Sequence, residues 1–146
     1  MSQQLKTPTL IDVRGPRFSA TITVIVLAIA LATQNVWVLA LQAVVFAIGA
    51  IRGPQFTPYA FIFKRVVKPR LRGEVVTEDS RPPQFAQTVG FIFALVGLLG
   101  AAIGSVLVFN IAVGFALAAA FLNSVFNYCL GCQMYLLVLR IRTRTI

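Results

Sequence analysis

The stretch FSATITVIVLAIALAT-QN-VWVLALQAVVFAIGAI, Phe18 to Ile51, decides how the rest of the chain is read. It contains two uncharged apolar runs, Phe18–Thr33 and Val36–Ile51, separated by Gln34 and Asn35. Each run has 16 residues, slightly below the ~17–25 of a membrane-spanning helix. Gln34, Asn35 and Trp37 can complete each crossing at the interface, where polar and aromatic side chains sit at headgroup level. The two runs are expected to form a tight helical hairpin.

Outward from this hairpin the pattern recurs. Arg52 to Gln84 is polar and basic. Phe85–Phe109 is a third uncharged apolar run, and Asn110 marks a turn before the fourth. The fourth run begins at Ile111 and stays uncharged until Arg140, 29 residues later. As a helix it would be about 43 Å long, against a hydrocarbon core of ~30 Å. It must tilt, kink, start later or extend past the bilayer. The predicted spans are Phe18–Thr33, Val36–Ile51, Phe85–Phe109 and Ile111–Leu137.

The predicted class is therefore all-α: a polytopic membrane protein with four transmembrane helices as two hairpins. The single domain, 1–146, divides into an N-terminal segment (1–17), a first hairpin (18–51), a basic loop (52–84), a second hairpin (85–139) and a tail (140–146). Composition agrees. Of 146 residues 58% are apolar and 12% charged, where soluble domains carry about 25% charge; mean hydropathy is +0.86.

The net charge of +9 does not point to nucleic acid, because the basic residues lie between apolar runs. Lys6, Arg14 and Arg17 precede the first run. Arg52, Lys64, Arg65, Lys68, Arg70, Arg72 and Arg81 lie between the second and third, and Arg140, Arg142 and Arg144 follow the fourth. That accounts for all 13. Basic residues flanking spans stay cytoplasmic, so both termini are predicted inside. Ala30-Leu31-Ala32 after a basic start also fits a cleavable signal peptide, but nothing hydrophilic follows for export.

A short repeat precedes each hairpin: Asp12-Val-Arg14-Gly-Pro16-Arg-Phe18 and Asp79-Ser-Arg81-Pro-Pro83-Gln-Phe85. It reads either as shared helix-start grammar, proline being favoured in a first turn, or as duplication. Arg52-Gly-Pro54-Gln-Phe56 is related.

In the basic loop, Thr57 can cap a short interfacial helix that Pro58 opens and Pro69 ends. Its apolar side is Tyr59, Ile62, Phe63, Val66 and Val67. Its basic side is Lys64, Arg65 and Lys68; these, with Arg70 and Arg72, are expected among anionic headgroups of the inner leaflet. Docking to an acidic partner is the competing reading.

The third run carries a small-residue stripe, Gly90, Ala94, Gly97, Ala101 and Gly104, with Gly100 and Gly104 forming a GxxxG pair. Such stripes let backbones approach closely in lipid, either within the chain or in a homo-oligomer. The fourth run holds Asn123, Ser124 and Asn127, which seek partners across helices. No Asp, Glu, Lys or Arg lies inside any run, which argues against a proton-driven transporter or a channel with a charged filter.

The chemical clue is Asn127-Tyr128-Cys129-Leu130-Gly131-Cys132. Two cysteines three apart on a helix are within disulfide reach. In an unbroken span they would lie toward the C-terminal end, where the helix dipole opposes a thiolate; a break at Gly131 would change that. Three readings stay open: a redox or sulfur-handling dithiol, packed small residues without chemistry, and a metal site. Histidine is absent, so a tetrahedral site would need the four thiolates of a dimer. No cofactor is implied.

Asp12–Phe18, Arg81–Phe85 and the Asn-Tyr-Cys-Leu-Gly-Cys motif together resemble a family of small actinobacterial membrane proteins carrying a domain of unknown function. The resemblance implies a multi-pass protein of the bacterial plasma membrane and carries no activity, substrate or catalytic residue. The leading expectation is a membrane dithiol, Cys129 and Cys132, exchanging electrons or sulfur with a cytoplasmic thioredoxin-like or rhodanese-like protein. The rival is a structural or assembly protein with no chemistry.

Overall fold

The computed structural model describes residues 10–144, with the side chain of Arg144 left aside; Lys6 lies outside the described residues. The described chain is all-α apart from one two-stranded ribbon. Its helices are α1 (Arg14–Thr33), α2 (Val36–Ile51), α3 (Pro58–Ile62), α4 (Arg81–Ala102), α5 (Val106–Phe126) and α6 (Leu130–Arg144). Strands β1 (Leu10–Asp12) and β2 (Thr77–Asp79) pair antiparallel, Leu10 opposite Asp79 and Asp12 opposite Thr77.

Local chemistry sets the helix ends. At the end of α1, Gln34 takes the left-handed conformation with φ 56°. Asn35 then caps α2, its side-chain oxygen accepting from the Trp37 and Val38 amides. The second turn repeats this chemistry with other residues. Gly104 is left-handed, φ 79°, and Ser105 caps α5 by accepting from Val108 N–H at 3.3 Å. A left-handed residue followed by an extended capping residue closes one helix and opens the next within two positions.

This second turn corrects the predicted boundary. The third apolar run ends at Ala102, and the turn falls at Ile103–Ser105, not at Asn110. Asn110 lies inside α5, where its side chain accepts from Gln34 Nε2 at 2.8 Å. Gly104, assigned from sequence to the packing stripe, is instead the turn residue, with nothing within 4 Å of an added Cβ. The fourth run is also not one helix. It breaks after Phe126 into α5 and α6.

Four helices close a ring: α1 packs on α2 and α5, and α4 packs on α2 and α5. Gln34 at the end of α1 meets Asn110 near the start of α5, and Arg17 near the start of α1 meets Ser124 near the end of α5, so these two helices run antiparallel. The core is Leu27, Ala30, Leu39, Ala43, Phe46, Ala94, Phe109, Val113 and Ala116. Small residues on α4 admit their neighbours. An added Cβ at Gly97 would lie 2.9 Å from Leu39 Cδ2, at Gly90 2.7 Å from the Phe46 ring, and at Gly100 2.7 Å from Val108.

The outer surface is apolar, with Leu41, Val44, Ile92, Leu99 and Phe115 all exposed. Three described helices, α1, α4 and α5, are long and apolar enough to cross a membrane; α2 is apolar but has only 16 residues.

The two halves correspond closely. Asp12 accepts from Arg14 N–H at 3.0 Å, and Asp79 from Arg81 N–H at 2.9 Å. Arg17 donates to the end of α5, and Gln84 to Ala50 O at the end of α2. The Phe18–Phe63 ring pair at 5.8 Å matches the Phe85–Tyr135 pair at 5.7 Å. With β1 on β2, these are the relations of an approximate two-fold axis.

Candidate functional site

The break that creates the site begins at Asn127. It ends α5 in the left-handed conformation, φ 54°, which asparagine tolerates better than most residues. Its N–H and that of Tyr128 both reach Leu122 O. The chain then restarts as α6 at Leu130. Gln133 N–H donates to Cys129 O at 3.0 Å, the first helical bond. Cys129 Sγ accepts from Cys132 N–H at 3.1 Å. Cys129 thus occupies the capping position, and its sulfur does what a serine or aspartate oxygen does at other helix starts.

The break lies ahead of the cysteines, not at Gly131, which was one of the possibilities the sequence left open, and this reverses the electrostatics of an unbroken span. In an unbroken span the pair would face the negative end of the helix dipole. Here both sulfurs lie at the positive end of a 15-residue helix, the setting that favours a thiolate. Cys129 and Cys132 form a disulfide, with Cα atoms 5.1 Å apart, inside the usual 4.4–6.8 Å range. Both are half-buried. In this state neither sulfur is a thiolate ligand for a metal, and the described residues hold no group of three or more metal-ligating side chains.

Two neighbours hold the motif. Gly131 packs on α4: an added Cβ would lie 2.5 Å from Ala86 Cα and Cβ. One turn on, Tyr135 packs on Phe85. Ala86 is five residues beyond Arg81, so the motif sits about 7.5 Å along α4 from its basic start.

Arg17 on α1 holds the other side. Its Nε donates to Ser124 O at 2.9 Å and its Nη2 to Val125 O at 3.4 Å. Thr21 and Ser124 hydroxyls meet at 2.7 Å. A cation on the last carbonyls of a helix complements its dipole. By its place before the first apolar run, Arg17 reads only as a topology charge. The repeat held the signal, since it aligns Arg17 with Gln84, the second helix-end donor.

The other predicted residues disperse. Asn127 is the break itself, so it does not share a helix face with Asn123; Ser124 makes the cross-helix bond. Lys64 donates to Gln55 O, Lys68 lies 3.8 Å from Asp12, and Arg65 stacks over the Phe61 ring at 5.0 Å. Arg70 and Arg72 are exposed. Of the predicted apolar side of α3 and its continuation, Tyr59 and Phe63 are buried, whereas Ile62 and Val66 are exposed. Tyr59 also donates to fully buried Gln42 at 2.7 Å, a contact that no motif or spacing foretells.

Acidic groups at this end are tuned by neighbours. The Arg14 guanidinium holds the Asp12 carboxyl below the usual range, and Arg81 does the same for Asp79. Burial, with Asp79 nearby, pushes Glu78 up.

A helical bundle with helices fit to cross a membrane, ending in a Cys-x-x-Cys that caps a terminal helix, defines the class. Within it, the chain belongs to the family described as Domain of unknown function (DUF4395), which matches residues 11–140. No curated protein and no solved structure gives a significant match.

Proposed function

We propose that this chain is a four-span protein of the bacterial plasma membrane whose Cys129–Cys132 pair is a reversible dithiol. The observation that carries the reading is the cap: Cys129 Sγ starts α6, accepts the Cys132 N–H, and is already bonded to Cys132. The three long apolar helices, with α2 as a shorter fourth, support the spans. The basic residues support cytoplasmic termini, and the resemblance to actinobacterial membrane proteins supports the compartment.

In this topology the motif faces the cytoplasm, beside Arg17 and the start of α4. Cytoplasmic disulfides are usually transient and catalytic or redox-sensing. The partner class is a soluble dithiol or persulfide carrier, such as a thioredoxin-like or rhodanese-like protein. In reduction, a partner thiolate attacks Cys132 Sγ, the S–S bond breaks, and Cys129 leaves as a thiolate held by the Cys132 N–H and the helix dipole. A second partner thiolate then attacks the mixed disulfide and releases Cys132, which takes a proton. Two electrons pass to the pair, and the partner departs as a disulfide.

The test is alkylation rate against pH in inside-out vesicles after reduction, with mass readout of each cysteine. The expected result is reaction of Cys129 from the cytoplasmic side with an apparent value below the ~8.5 of a free thiol. Reaction of neither thiol until detergent unfolds the chain would refute it. One observation favours the rival structural reading: Gly131 seats tightly on Ala86, so the motif is also a packing joint. A folded Cys129→Ser, Cys132→Ser variant with full function in cells would select that rival.

A further inference from the structure

Two helix ends meet at the disulfide, and their fields oppose each other. α6 brings its positive N-terminus, where the Cys132 N–H donates to Cys129 Sγ. α5 ends at Phe126, three residues before Cys129, and the carbonyls of its last turn have no amide ahead of them in the helix. Such an end carries partial negative charge and disfavours a nearby anion. Left uncovered, it would cancel part of what α6 gives the sulfur.

Arg17 covers it. Ser124 and Val125, whose carbonyls accept from its Nε and Nη2, belong to that last turn. The approximate two-fold supplies a comparison within the same chain. In the first half the end of α2 precedes a hydroxyl cap, Thr57, and the donor on that helix end is Gln84, a neutral amide bonded to Ala50 O at 2.8 Å. A neutral donor therefore suffices to hold a helix end in this fold. The half whose cap is a sulfur, a group that can ionise once reduced, has a cation in the same place.

The other charges around the motif are paired or distant. α5 has no charged residue and α4 has only Arg81, which donates to Asp79 through Nε and Nη2. Glu78 adjoins Asp79 on β2. At the start of α1, Arg14 is paired with Asp12. On α6 the described basic residues, Arg140 and Arg142, begin eight residues beyond Cys132, about 12 Å along the helix. Tyr128 and Tyr135 add only phenols. Arg17 has no carboxylate partner among the described residues, so its charge acts on the helix end.

We propose that Arg17 is a positioning residue for Cys129: by covering the negative end of α5 it leaves the field of α6 unopposed, and so favours the thiolate that reduction of the disulfide releases. The inference rests on the reading of Cys129 and Cys132 as a reversible dithiol. It gives a chemical role to a side chain on α1 that touches neither sulfur.

The experiment alkylates the reduced full chain in inside-out vesicles with iodoacetamide, an uncharged reagent, across a range of pH, with mass readout of each cysteine. Arg17→Gln installs the neutral donor of the first half. It is expected to raise the midpoint of the Cys129 profile, leaving about two- to fivefold less thiolate at a fixed pH below it, the scale of one charge at a helix end. Arg17→Lys keeps the charge and loses the fork, so it is expected to melt lower with the midpoint in place. Thr21→Val removes the neighbouring 2.7 Å contact with Ser124 and keeps the charge, with the same expectation. Arg65→Gln removes an equal charge from the first half and is expected to leave the midpoint where it is. If no wild-type thiol reacts before unfolding, the dithiol reading itself fails and the proposal with it. If the wild type reacts but Arg17→Gln leaves the midpoint unmoved, or Arg17→Lys and Thr21→Val move it as far, Arg17 is only a structural joint and the proposal is overturned. Should Arg17→Gln not fold, the wild type decides: 1 M salt, with a screening length of about 3 Å, is expected to raise the midpoint, and a midpoint indifferent to salt would overturn the proposal.

Discussion

Gly131→Ala tests whether the Cys-x-x-Cys motif is held where the structure places it. A methyl at this position would lie 2.5 Å from both Cα and Cβ of Ala86. Ordinary carbon contacts begin near ~3.5 Å, so α6 must retreat from α4 by about 1 Å. Ala86 cannot swing aside, because the blocking atoms belong to the backbone of α4 and its first carbon. Overpacking of this kind costs about 1–3 kcal/mol. For a chain of this size each kcal/mol lowers the melting temperature by about 4 °C, so the expected fall is roughly 4–12 °C. The control is Gly114→Ala, inside α5, where nothing lies within 4 Å of the added carbon. That substitution is expected to be neutral or to gain up to ~1 kcal/mol from helix propensity. Thermal unfolding of the full chain in detergent measures both, and alkylation of the reduced thiols measures displacement of the motif. A Gly131→Ala protein as stable as wild type, with unchanged thiol reactivity, would refute the seating of α6 on α4.

Arg17→Ala removes the donor from the Ser124 and Val125 carbonyls; thermal melts should show a loss near 1 kcal/mol, since the pair is exposed, and hydrogen exchange should quicken at the end of α5. Arg17→Lys should recover only part of this, because one ammonium cannot reproduce the guanidinium fork. Acid should loosen the β1–β2 ribbon. Asp12 and Asp79 have lowered values in the folded chain, so their contribution is present above the unfolded value of ~3.9 and is lost as pH falls through the folded one. Glu78, raised, opposes them: it favours the folded state until pH rises through its unfolded value, and that contribution is lost toward its folded one. Melting from about pH 5 to 3 should therefore fall in the wild type and flatten in Asp12→Asn, Asp79→Asn. On a cysteine-free background, cysteines at Asn35 and Ile103 should react with an impermeant reagent only from outside and one at Lys68 only from inside; the reverse pattern would sink the proposed topology.

The turn between the first two helices was legible to the residue because it is polar: Gln34 and Asn35 interrupt two apolar runs and supply the left-handed and capping positions, although α1 itself begins at Arg14, four residues before the predicted Phe18. The second turn was misplaced for a physical reason. Gly104 and Ser105 do the same work, but small residues do not interrupt an apolar run, whereas Asn110 does. Asn110 in fact serves the neighbouring turn, by accepting from Gln34. The break in the fourth run was left open, with Gly131 as one place for it. Gly131 is the strongest local helix breaker there, yet its missing side chain is used for approach to Ala86, and the left-handed residue is Asn127. Pattern shows that a helix must end, but which residue ends it depends on what else each small or polar residue touches. The cysteine pair was visible as a motif. Its helix terminus was one open alternative, tied to Gly131, and Arg17 was not legible as a helix-end donor because its partners lie 107 and 108 residues away.

The approximate two-fold gives the cysteines a counterpart. Thr57 caps α3 by accepting from Ala60 N–H at 3.2 Å, as Cys129 caps α6 by accepting from Cys132 N–H at 3.1 Å. Phe63 then packs on Phe18 as Tyr135 packs on Phe85. The cap at this position therefore needs only a side-chain acceptor, and a hydroxyl satisfies it in the first half. A fold that required nothing more could carry Thr and Ala in both halves. Two sulfurs at the equivalent pair of positions add what the hydroxyl and methyl cannot, a bond that can be made and broken. The surroundings differ to match. Thr57 and Ala60 are buried, with Tyr59 between them hydrogen-bonded to Gln42. Cys129 and Cys132 are half-buried at a helix start whose outer residues, Tyr128 and Leu130, are exposed. The half with sealed caps buries its helix start, and the half with open caps carries the disulfide.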